Sequence, residues 1–283
     1  MSYTMRLNSA RKRFAEYFSL SDKVIGQLEE WIEKEDIPMP QTYSGIVKFA
    51  AMVRAFNLYK SINLLLGNDH WEDAAILSRS VFELLLNLEE IASKETDIEE
   101  KAFRFLRHNK LCETLHYLND RRYVASTGRG LPGDIAELEK MEKELQRIFP
   151  EFVDTKRGQK WNQSWCGKTV RRLATDSGKP IRIAQYNLIY SYFSEFSHSS
   201  PFATMTTAGL GQTEEEIEKL LKSKKILEKE GLARVLVLST TWLLEILNIA
   251  KTEIPPYELA WSLEILEELF RLFKLSTSET GDK

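Results

Sequence analysis

The chain is short of the residues that staple or punctuate a fold: its 283 residues include two cysteines, four histidines, 8 prolines and 13 glycines. Cys112 and Cys166 are too few for a disulfide framework, and the N-terminus MSYTMRLNSARKRFAEYF lacks the apolar stretch of a signal peptide. A cytoplasmic location is expected. No uninterrupted run of about 18 apolar residues is present. The most apolar stretch, LARVLVLSTTWLLEILNIA, is broken by Arg234, Ser239, Thr240, Thr241 and Glu245, so a buried helix is expected and a membrane partner is not. Glycine-rich phosphate loops, G-x-S-x-G elbows and H-E-x-x-H are also missing. His108, Cys112 and His116 recur every four residues, but together they span about 12 Å of helix, too far for one zinc ion. Cys112 reads as a small buried residue, and neither metal nor cofactor is expected.

What the chain does have is helical periodicity. It is 43% hydrophobic and 29% charged with net charge −3, and its apolar residues recur at three- and four-residue spacing, without the period-two segments and hairpin turns of a sheet protein. The expected fold is all-α, a single multi-helix bundle. Helices are expected at 4–18, 22–35, 42–66, 70–94, 97–119, 134–148, 168–176, 181–198, 213–229, 232–252 and 257–274. IPMP (37–40) and PP (255–256) act as breaks, Gly67 as a C-terminal cap, and TDIE (96–99) and TEEE (213–216) as capping boxes. The expected organisation is an N-terminal helical extension at 1–40, a bundle domain at 41–275 and a frayed tail at 276–283.

Three constellations bear on function. On the helix HWEDAAILSRSVFELLLNLEEIASK (70–94), Glu72, Arg79, Glu83 and Glu90 align within about 40° on an otherwise apolar surface. Such a stripe is a solvated or structural ion pair, a buried organising pair or a ligand site, and covered charges must be paired. In YSYFSEFSHSS (190–200) and the residues before it, Asn187, Ser191, Ser194 and His198 share one stripe, while Ile189, Tyr192, Phe193 and Phe196 spread over the other side. Burying the two polar stripes together would satisfy both, so Arg79 and Glu83 are expected to point toward Ser194 or His198, with Tyr190 beside them. Finally, TKRGQKWNQSWCGKTVRRLATDSGKPIR (155–182) carries eight Lys or Arg against Asp176 alone. Lys156, Arg157, Lys160, Lys168, Arg171 and Arg172, interleaved with Trp161 and Trp165, suit the backbone and bases of a single-stranded nucleic acid or a nucleotide. The same segment also suits a positive face that balances acidic stretches such as EEEIE (214–218), or a dimer contact.

Four segments in order, RSVFELLLNLEEI (79–91), KAFRFL (101–106), WCGKTVRRLATDSG (165–178) and YNLIYSYFSEFSHSS (186–200), resemble an uncharacterised all-helical bacterial domain family. That family is marked by an Arg and a Glu one turn apart and by S-x-x-x-H late in the domain; the resemblance covers roughly residues 42–250. It puts Arg79, Glu83, Ser194 and His198 at the family's polar positions. More distantly the arrangement is similar to the HEPN superfamily, helical bundles that often act as metal-independent ribonucleases in antiviral and toxin systems. The resemblance implies an HEPN-like core with extra terminal helices. Those enzymes carry Arg and His on one helix as R-x(4–6)-H, whereas here the nearest match is Arg104 with His108, an R-x3-H, and Arg79 would have to serve His198 from another helix. The implied function is an RNA-directed effector, its partner single-stranded RNA or a phosphate-bearing ligand, in a homo-oligomer. The alternatives are a non-catalytic dimerisation module and a nucleotide sensor.

Overall fold

A computed structural model describes residues 9–34, 39–129, 134–155, 158, 160–190, 193, 214–251 and 260–278. Ten helices run through them: α1 (Ser9–Arg13), α2 (Ala15–Lys34), α3 (Tyr43–Gly67), α4 (Trp71–Ala92), α5 (Ile98–Val124), α6 (Asp134–Ile148), α7 (Val170–Asp176), α8 (Pro180–Gln185), α9 (Glu214–Ala250) and α10 (Ala260–Ser278). Two strands of two residues each, β1 (Val153–Asp154) and β2 (Lys160–Trp161), pair antiparallel and fasten a loop. The fold is an all-α packed bundle.

Local chemistry sets the helix ends. Thr42 Oγ1 accepts the Gly45 N–H at 3.0 Å and starts α3, as a threonine N-cap should. The Glu of TDIE does a different job from the one its spacing suggests. Glu99 accepts the backbone N–H groups of Tyr43 and Ser44 (2.9 and 3.1 Å), so it caps the neighbouring α3. Hydrogen bonds from Ser44 and Tyr43 outweigh burial and hold its carboxyl below the usual range. Gly67 is still helical; the left-handed residue of the turn is Asp69, at φ 64°.

Helices α3, α4 and α9 pack mutually around the core, with Tyr59, Ile62, Phe82, Leu85, Leu86, Trp242 and Leu243 all at 1% exposure or less. Residues 230–250 of α9 are long and apolar enough to cross a membrane, yet two thirds of that window is buried among the other helices. The same cluster takes in Phe14, Phe18, Val24 and Leu28 of the N-terminal helices and Ile265, Leu269 and Leu272 of α10. A smaller cluster of Leu111, Leu118, Leu138, Leu145, Phe149 and Phe152 joins α5 to α6.

The helix boundaries depart from expectation at several places; α5, for one, runs five residues past the expected end at 119. Ser21 was expected to lie in the gap before a second helix; it sits inside α2 at 0% exposure, its hydroxyl 2.5 Å from the Tyr59 hydroxyl, which in turn meets Thr240 Oγ1 at 2.8 Å. Burial pushes the Tyr59 phenol up to about 12. The expected helices 213–229 and 232–252 are one helix: Gly231, which reads as a break, is the point where the Trp71 ring lies on α9. A Cβ there would come within 2.7 Å of a ring carbon. At the C-terminus, α10 continues through Ser278, three residues into the expected tail.

Candidate functional site

The polar stripe of α4 is where the chain's scattered charges meet. Phe82 and its neighbours hold α4 in the core, which turns Arg79 and Glu83 toward the segment after α8. There the backbone widens into a π turn, Tyr186–Tyr190, a feature that often marks functional positions. The Tyr190 hydroxyl donates to Glu83 Oε1 at 2.8 Å, and the Arg79 guanidinium lies 4.4 Å above the Tyr190 ring, a cation–π contact. Burial together with the Glu83 carboxylate pushes the Tyr190 phenol up, against the pull of Arg79, so it keeps its proton at neutral pH. Arg79, Glu83 and Tyr190 thus converge. Ser194 and His198 lie outside the described residues.

Farther along α4 the basic segment folds back onto the helix. Trp165 donates its indole N–H to Asn87 Oδ1 at 2.7 Å and is 4% exposed. Packed edge-on against Phe105 as well, it is a core tryptophan, and the stacking role expected of it does not fit a ring so covered. Lys168 Nζ meets Glu90 at 2.9 Å and Asp176 at 3.2 Å; burial would lower the ammonium, but these two carboxylates outweigh it and hold it above its ordinary value. Arg172 is bound to Asp176 at 2.9 Å. Lys168 and Arg172 are therefore balanced by α4 and by Asp176. Lys156 and Arg157 lie outside the described residues, as do the side chains of 214–218.

Sequence reasoning missed the firmest of these contacts. Arg182, with a side chain 1% exposed, bonds Glu89 through Nε (3.0 Å) and Nη2 (2.7 Å), Gln185 through Nη1 (2.9 Å), and both oxygens of Glu245 on α9. Lys179 adds a second cation to Glu89 at 2.7 Å. Burial raises the Glu89 carboxyl, but Arg182 and Lys179 outweigh it and hold it below the usual range. The signal was Glu245, an acid inside an apolar run, which needs a buried cation to answer it.

The loop between α6 and α7 is clamped by α5. Arg104 donates to the carbonyls of Trp165 (2.9 Å) and Glu151 (3.3 Å), and Arg107 to Glu151 Oε1 (2.6 Å) and the Ile148 carbonyl (2.7 Å). His108 Nε2 lies 3.5 Å from the Asn162 carbonyl, with its ring edge-on to Phe152. The R-x3-H pair of Arg104 and His108 therefore holds a loop in place. Burial lowers the His108 imidazole, so it is neutral at pH 7. Its Nδ1 is 3.6 Å from Cys112 Sγ, whose thiol burial pushes up; no cluster of three or more metal-binding side chains occurs among the described residues.

That loop, α7 and the π turn enclose an open cleft of about 700 Å³. Lys160, Lys168, Arg171, Trp161, Tyr186 and Tyr190 line it, together with Asn162 and Gln163. Tyr186 stacks on Tyr190, with ring centroids 5.1 Å apart and planes inclined by 19°. Among the described residues Lys160 and Arg171 make no ion pair. Trp161 is partly covered, its indole N–H reaching Glu142 at 3.3 Å. The cleft joins two constellations that are far apart in sequence, the basic segment and the Arg79–Glu83–Tyr190 cluster, because Tyr190 belongs to both.

No curated protein and no solved structure matches the chain. A family model does, over residues 45–216, which contain every cleft-lining residue and exclude most of α9 and the terminal helices: the chain belongs to the family of unknown function DUF5677.

Proposed function

We propose that the protein is a cytoplasmic, HEPN-like RNA-directed effector that holds a phosphate-bearing strand in the cleft between the 150–169 loop and the Tyr186–Tyr190 turn. One observation carries the reading: Lys160 and Arg171, free of ion pairs among the described residues, line the same cleft as two stacked tyrosines, one of which touches Arg79 and Glu83. Cations without an internal partner supply the electrostatic attraction for phosphate, and aromatic rings supply a surface for bases. Cleavage on this reading needs no metal. The RNA 2'-hydroxyl oxygen attacks the adjacent phosphorus, its proton passes to His198, and the bond to the 5'-oxygen breaks as a proton returns to that oxygen. Arg79 would stabilise the charge on the phosphorane, with Glu83 and Tyr190 fixing its position and Ser194 orienting the imidazole.

A second reading, binding without cleavage by a homodimeric module or nucleotide sensor, is favoured by the engagement of Tyr190 with both Glu83 and Arg79, which is what a structural polar network looks like. The two are separated by incubating end-labelled single-stranded RNA with the protein in the presence of a chelator. Binding and cleavage by the wild type, with His198→Ala retaining the first and losing the second, supports the effector. Binding with no cleavage by either protein supports the second reading. Failure of the folded protein to bind RNA or nucleotide at about 50 mM salt, where electrostatic attraction is strong, removes the effector and the nucleotide sensor and leaves the non-catalytic dimerisation module.

A further inference from the structure

We infer that the ring of Tyr186 is the seat of a nucleobase, so that the ligand of the cleft is a nucleoside phosphate, single-stranded where it is part of a chain. The inference rests on the phosphate-binding reading above and adds which ring seats a base and that a single nucleotide suffices as ligand. Three features of the cleft converge on it.

The first is a braced aromatic surface. Tyr186 is half-buried, lines the cleft and has Tyr190 nearly parallel to it at 5.1 Å, while Tyr190 is covered by Arg79 and hydrogen-bonded to Glu83. One turn earlier on the same chain, Arg182 ties the helix to Glu89 and Glu245. The ring is thereby held in place before any ligand arrives, which reduces the ordering a stacked base would require. The Tyr186 hydroxyl makes no hydrogen bond among the described residues, so the ring alone is what the cleft is offered.

The second feature is the pairing of this ring with groups that suit the rest of a nucleotide. Lys160 and Arg171 supply charge for a phosphate, and the amides of Asn162 and Gln163 can donate and accept along a base edge. Neither amide side chain has another partner among the described residues. The Asn162 backbone is fixed independently, its N–H bonded to the Phe152 carbonyl at 2.8 Å. The third feature is size. About 700 Å³ falls within the usual range of roughly 300–1,000 Å³ for a small-molecule pocket, suited to one or two nucleotides and not to a duplex.

The test titrates the folded protein directly with inorganic phosphate, ribose 5-phosphate, uridine and adenosine 5'-monophosphates, and a short single-stranded RNA. Variants Tyr186→Leu and Tyr186→Phe are compared by melting first and by calorimetry second. Expected is tighter binding of the nucleotides than of ribose 5-phosphate. Tyr186→Leu should weaken nucleotides and RNA by about 5- to 150-fold while leaving ribose 5-phosphate unchanged, and Tyr186→Phe should behave like the wild type. An oligonucleotide that binds more tightly than the monophosphates identifies an RNA strand as the source; equal binding identifies a free nucleotide. Equal affinity for ribose 5-phosphate and the nucleotides, or wild-type nucleotide binding by a folded Tyr186→Leu, overturns the inference while leaving phosphate binding intact. No binding of any probe overturns the phosphate reading as well.

Discussion

Replacing Arg182 by methionine tests what holds the cleft's tyrosine-bearing turn against the bundle. Arg182 is 1% exposed and Glu89 8%, and the guanidinium is shared between Glu89 on α4 and Glu245 on α9. Methionine fills a similar volume without charge, leaving Glu89 with Lys179 alone, a side chain 53% exposed. Removing one partner from a buried ion pair costs about 3–5 kcal/mol, because the remaining charge stays desolvated. For 283 residues at about 2.1 cal/mol/K each, the unfolding entropy is near 590 cal/mol/K, so the expected fall in Tm is about 5–8 °C. The double variant Arg182→Met with Glu89→Gln should recover part of that loss, since the stranded charge is gone. The pH dependence has a definite sign. In the wild type Glu89 is held below its unfolded value, so it contributes stability above about pH 4.5 that fades as pH falls through the folded pKa. In the variant burial dominates and the folded pKa rises, so protonation of Glu89 relieves the defect as pH falls from 7. The gap between wild type and variant should therefore narrow on acidification. Thermal melts from pH 7 to pH 4.5 give both numbers. A loss under about 1 kcal/mol, the size of an exposed pair, would refute the reasoning.

The cleft and the core each yield one more expected outcome. If RNA lies along the cleft, Arg171→Ala should flatten the log–log salt dependence of binding by about 0.7, whereas Arg172→Ala, whose guanidinium is already bound to Asp176, should change it less; equal flattening by both would contradict the assignment. Gly231→Ala should destabilise the fold by about 1–3 kcal/mol in spite of alanine's better helix propensity, because its Cβ would overlap the Trp71 ring; a higher melting temperature than the wild type would show that Trp71 can move at little cost.

Helices α3, α4 and α6 are legible in sequence almost to their ends, because long periodic apolar stretches there coincide with ordinary caps such as Thr42. The boundaries that misled share a cause. Ser21 and Gly231 carry the residue types of helix breaks, but their reasons are tertiary: one hydroxyl answers Tyr59, and one missing Cβ makes room for Trp71. Local propensity cannot distinguish a serine that caps from a serine that bonds a residue 38 positions away. Glu89, Arg182 and Glu245 were overlooked for the same reason, being three charges on three helices whose association only packing reveals.

The stripe drawn through residues 181–198 meets a subtler limit. Placing Asn187, Ser191, Ser194 and His198 on one face assumes an unbroken α-helix. That assumption already fails within the described residues, where the backbone forms a π turn at Tyr186–Tyr190. Ser191, Ser194 and His198, the rest of that stripe, lie outside the described residues. Tyr190 bonds Glu83, and its partner Tyr186, four residues earlier, is the residue that sequence reasoning misses, although an aromatic pair at that spacing is itself a signal of contact. The interruption leaves one tyrosine bonded to a half-buried carboxylate and the other lining the cleft. The Tyr186 variants thus test more than a binding contact: they test whether the departure from regular helix serves the cleft.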